Sequence, residues 1–131
     1  MEIHLNIIGV VLIVLGLVHV IFPKYFRWKE ELQQLSLINK QMMEVHTFFI
    51  ALVVVLMGIL CLTSANELIE SSLGKNIALG LGIFWGFRLF VQLFIYSSKL
   101  WKGKVFETIV HIVFTCLWLY LTIVFVGVYL G

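Results

Sequence analysis

The chain has 131 residues, 62% of them hydrophobic and only 12% charged, with a single proline. So little charge cannot cover a core in water, which excludes a soluble globular domain and makes the lipid bilayer the expected surroundings. The formal net charge of +2 gives no basis for a nucleic-acid partner.

A transmembrane helix needs about 20 consecutive apolar residues. Residues 5–22, 41–63, 76–97 and 105–130 meet that need. They use most of the chain, so residues 1–131 form one domain. A membrane β-barrel would instead show segments of about 10 residues with alternating polarity. The expectation is an all-α integral membrane protein, a left-handed four-helix bundle running up-down-up-down.

The first segment opens with "MEIHLN", which lacks a basic stretch, and "LVHVIFPKYF" offers no small-residue cleavage site. It reads as a retained helix rather than a secretory signal. In the loop that follows, Phe22, Tyr25, Phe26 and Trp28 suit an interfacial aromatic belt, and Trp28, Leu32 and Leu35 recur at helical spacing. No glycine or proline lies between Pro23 and Gly58. That leaves open whether the second helix starts near residue 29 or is preceded by a separate interfacial helix. The connection "TSANELIESSLGKN" reads as a polar loop with a turn at Gly74. Lys24, Arg27, Lys29 and Lys40 flank one side of the spans, as do Lys99, Lys102 and Lys104, against Lys75 alone on the other. This bias places both basic loops in the cytoplasm and both termini outside. A chain of this size fits a bacterial inner membrane. Gly9, Gly16, Gly82 and Gly86 have the spacing of packing residues that let helices approach closely. Cys61 and Cys116 are expected at different depths and unpaired.

Counted at 1.5 Å per residue from the basic loops, His19, His46, Gln92 and His111 all lie about 7 to 11 Å below the cytoplasmic boundary. Glu107 sits a turn above His111, Glu44 just above His46, and Arg88 a turn below Gln92, about 16 Å deep. A charge at such depth is costly and normally faces the bundle interior with a partner. Glu107 is the expected partner of Arg88, with Glu44 as the alternative.

Several chemistries suit this layer. His19, His46 and His111 are candidate ligands for a transition metal with an open coordination position. Gln92 is a candidate cofactor contact, and Glu107, Glu44 and Arg88 are candidate catalytic groups. Two of the histidines could alternatively hold a b-type haem, but Arg88 lies deeper than propionates prefer, which ranks haem below metal. Without a cofactor, His and Glu as acid and base with Arg88 holding an anion would fit a lipid or isoprenoid ligand, or a proton path. Transport by four helices would call for a homo-oligomer or a larger membrane complex. The competing reading is an accessory or structural subunit whose polar layer only specifies helix packing. A nucleophilic hydrolase fits poorly, because no serine or threonine sits in a suitable elbow.

Overall fold

The computed structural model describes residues 2–19, 21, 27–31, 33–95 and 103–131. Among them every regular element is helical: α1 (Glu2–Val18), α2 (Trp28–Glu31), α3 (Leu37–Thr63), α4 (Ala65–Glu70), α5 (Ser72–Phe90), which continues as a π-helix (Val91–Ile95), and α6 (Val105–Leu130). The chain divides into two compact units, Ile3–Ala65, and Asn66–Gly131 with Met1–Glu2. Lys24, Lys99, Lys102, Phe22, Tyr25 and Phe26, which carried part of the orientation and belt readings, lie outside the described residues.

Three helices are long and apolar enough to cross a membrane: Leu37–Thr63 with 27 residues, Ser72–Ile95 with 24 and Val105–Leu130 with 26. At 1.5 Å per residue each exceeds the hydrocarbon thickness of about 30 Å. The expected first span, 5–22, corresponds to α1, whose 17 residues reach about 26 Å. Positions 20 and 22 of that span are among the undescribed ones. Large apolar side chains such as Phe48, Phe49, Phe87, Phe94, Ile112 and Ile123 are exposed. A soluble protein rarely leaves so much apolar surface open, whereas lipid solvates it.

In the first unit α1 and α3 run antiparallel, since Gly9 lies against Gly58 while Gly16 lies against Ala51. The seven-residue steps from 9 to 16 and from 51 to 58 are two helical turns, so each pair of small residues shares one face. The approach is backbone to backbone. A Cβ added to Gly58 would stand 2.6 Å from the Gly9 carbonyl oxygen, and one added to Gly16 would stand 2.9 Å from that of Ala51. Helices in lipid have no hydrophobic force between them, so close packing of this kind must hold them together.

The structure settles the loop left open by sequence. The turn α2 is separate, with Arg27 in the left-handed region at φ 56 and its side chain 3.0 Å from Glu30. Both partners are exposed, so this pair adds little stability. The helix α3 starts at Leu37, where the Ser36 hydroxyl accepts from the Asn39 amide at 3.4 Å. The expected polar loop between the second and third spans is instead helical over Ala65–Glu70, and α5 starts at Ser72 rather than at 76. Ser71 makes the joint: its hydroxyl donates to the Glu67 carbonyl at 2.7 Å and accepts from the Gly74 amide at 2.8 Å. Gly74 is therefore not a turn residue. It lies in the first turn of α5, where a Cβ would collide with the Glu67 backbone.

Replacing Gly58 by Ala should lower the melting temperature in detergent by the equivalent of about 1 to 3 kcal/mol, the usual cost of overpacking. The same change at Gly80, where nothing lies within 4 Å of the added carbon, should cost nothing. Equal losses at the two sites would show that the α1–α3 approach is looser than described.

Candidate functional site

The second unit is built on α5 and α6. Gly82 lies against Val126, Gly86 against Thr122, Trp85 against Trp118 and Gln92 against His111, so the two helices are antiparallel. On α5, residues 85, 88 and 92 recur at i, i+3 and i+7; on α6, residues 111, 114, 118 and 122 do the same. Such spacing makes one stripe on each helix. Gly82 lets the stripes meet, because a Cβ there would be 2.9 Å from a Val126 methyl.

Aromatic rings fill the middle of the contact. Trp85 and Trp118 stack with centroids 5.1 Å apart and planes 10° from parallel, Phe114 stacks on Trp118 at 5.5 Å, and Phe84 meets Trp85 edge-on at 5.0 Å. The Arg88 guanidinium carbon lies 5.0 Å from the Trp118 ring centre, a cation–π distance.

Gln92, only 6% exposed, organises the polar groups beside these rings. It lies in the π-helix, an irregularity often found at functional positions. Its Oε1 accepts from Arg88 Nη1 and from Trp118 Nε1, both at 3.4 Å, while its Nε2 donates to His111 Nδ1 at 2.8 Å. Arginine and tryptophan can only donate, so the oxygen of the amide must face them and its nitrogen must face His111. His111 Nδ1 is then an acceptor, which makes the ring neutral with its proton on Nε2. Thr115 and Thr122 donate to the His111 and Trp118 carbonyls of their own helix, both at 2.8 Å.

Of the residues expected in the site, Arg88, Gln92 and His111 come together. Glu107 does not join them as the Arg88 partner: it is exposed in the first turn of α6. A carboxylate there is favoured by the helix dipole and the free amides of that turn, with no need of a guanidinium. His19, Glu44 and His46 belong to the other unit. Glu44 and His46 are exposed on α3, and His19 donates from Nδ1 to the Leu15 carbonyl at 2.8 Å, serving one of the open carbonyls at the end of α1. Among the described residues no group of three His, Cys, Asp or Glu side chains is placed to hold a metal ion, so the three-histidine set lacks geometric support. Cys61 is buried and Cys116 exposed, and both are free thiols.

Trp118 is not among the site residues expected from sequence, yet it donates to Gln92. The signal was there: it lies seven residues after His111 on the same stripe, and an indole N–H inside lipid needs an acceptor.

Fold and site together define a helical chain with three membrane-length apolar helices and a polar network on one helix pair. Neither a protein-family profile, nor a curated protein, nor a solved structure matches the chain.

Gln92→Leu should destabilise by about 1 to 3 kcal/mol, because it removes the acceptor of the buried Trp118 N–H and the bond to His111, and it should be strongly non-additive with His111→Leu. Glu107→Gln should stay within about 0.5 kcal/mol of wild type and add simply to Arg88→Met. Thermal melts of the four single and two double variants in detergent check this; coupling of Glu107 with Arg88 would restore the ion pair expected from sequence.

Proposed function

We propose that the protein is a small multi-pass membrane protein of structural or accessory type, whose polar layer fixes how its helices pair. The observation that carries this reading is the Gln92 amide, which bonds across the helix pair with both of its ends. Apolar surfaces slide past one another in lipid at little cost. A carboxamide whose oxygen and nitrogen each have one partner on the opposite helix allows a single register. The polar layer thus acts as a clasp, and the protein works through the surface its paired helices present to a larger membrane assembly.

The clasp has a direct test. Gly86 and Thr122 face each other, with 3.7 Å between the position of an added Cβ and the threonine methyl, so cysteines at the two positions would be neighbours across the pair. In a Cys61→Ala, Cys116→Ala background, Gly86→Cys with Thr122→Cys should cross-link readily on oxidation. Adding Gln92→Leu should reduce the cross-linked fraction severalfold; no reduction would assign the register to apolar packing and remove the clasp.

In this proposal α1 joins α3, α5 and α6 as a fourth span of an up-down-up-down bundle, with the polar layer toward the cytoplasm and both termini outside. Lys29, Lys40 and Lys104 against Lys75 support that sidedness among the described residues. In the same cysteine-free background, a cysteine at position 70 should react with an impermeant thiol reagent outside intact cells and one at position 104 should not. The reverse pattern would invert the topology.

A further inference from the structure

The clasp closes in one direction only. The Trp118 indole can donate but not accept, and its ring is 4% exposed, so the Gln92 oxygen must stay turned toward it. The Gln92 nitrogen is thereby committed to His111. Their bond exists only while His111 Nδ1 keeps its lone pair. Histidine is also the side chain whose charge ordinarily changes between about pH 5 and 8.

A proton on Nδ1 turns this acceptor into a donor. Two N–H groups then meet where a bond of 2.8 Å had joined the helices. Turning the amide over does not restore the clasp. Its oxygen would accept from the imidazolium, but its nitrogen would then confront the Trp118 N–H, a buried donor that lipid cannot satisfy. Charge acts in the same sense. Among the described residues, the charged group facing His111 from α5 is Arg88, which already donates to the Gln92 oxygen at 3.4 Å. An imidazolium would bring a second cation to one amide. On α6 itself the charged neighbours are Lys104, at the N-cap, and Glu107, exposed one turn before His111. Residues four apart share a helix face, so Glu107 offers a carboxylate to an imidazolium released from Gln92.

We propose that the clasp is gated by a proton: protonation of His111 breaks its bond to Gln92 and frees the register of α5 and α6. This rests on the reading of Gln92 as a clasp and adds what controls it. His111 is half-buried and about 9 Å from the start of α6, on the cytoplasmic side of the aromatic stack in the topology proposed above. A proton from that side reaches it without passing Trp85 or Trp118.

The test uses the full-length protein in detergent with the Cys61→Ala and Cys116→Ala changes. Spin labels are attached to Phe90→Cys and Val113→Cys, both exposed positions near the clasp, one on each helix. Label-to-label distances are measured at about pH 8 and about pH 5. The distribution should be narrow at the higher pH and about twice as wide at the lower. His111→Asn carries an acceptor oxygen one bond from Cγ, where Nδ1 stood, and takes up no proton, so it should stay narrow at both. Gln92→Leu should be wide at both. A wild type that stays narrow at the lower pH, or a His111→Asn protein that widens as much as wild type, overturns the gating and leaves the clasp standing. A narrow Gln92→Leu overturns the clasp itself, and the gating with it. Should His111→Asn fail to fold or to close the clasp, the imidazole ¹⁵N spectrum of the wild type decides. The His111 Nδ1 signal should pass from the unprotonated to the protonated form between the two pH values, and one that stays unprotonated overturns the gating equally.

Discussion

Inside a bilayer every polar group must find its partner within the protein, and apolar side chains gain nothing from leaving lipid for one another. Two kinds of contact remain to hold helices together, close backbone approach and hydrogen bonds between helices. The first unit of this chain relies on close approach, and the second uses both. The α1–α3 pair rests on Gly9, Gly16, Ala51 and Gly58, whose small size brings carbonyl oxygens against the opposite helix. The α5–α6 pair adds Gln92, whose amide is bonded to His111 and Trp118 across the contact. The first contact supplies proximity and the second supplies register.

The direction of the Gln92 amide matters beyond the bonds themselves. Because Arg88 and Trp118 have no acceptor to offer, they orient the carboxamide, and the carboxamide in turn selects the tautomer of His111. An imidazole that looks from sequence like an available metal ligand thus has Nδ1 already engaged. A buried amide among donors is sufficient to change what a neighbouring histidine can do.

Much of the fold was legible because lipid selects for apolar length. The last helix runs over Val105–Leu130, as the hydrophobic run requires. Departures occur where backbone geometry rather than hydropathy sets the boundary. Residues 72–75 read as loop from sequence, yet Ser71 caps a helix that includes them. Depth counting found the level of Arg88, Gln92 and His111, since rise per residue is constant. It could not find Trp118, whose one N–H is lost in a large apolar ring, and Glu107, counted one turn above His111, is exposed in the first turn of its helix.

The joint at Ser71 has reach well beyond its own turn. It ends α4 and starts α5 with one hydroxyl, and Gly74 seats the new helix directly on the Glu67 backbone. A helix is a screw, and fixing where it begins fixes the angle at which every later residue emerges. Each residue advances that angle by about 100°, so one residue inserted at the joint would rotate Trp85, Arg88 and Gln92 together away from α6 without altering any of them. The serine corner at one end of α5 is in this sense the setting screw for the stripe near the other.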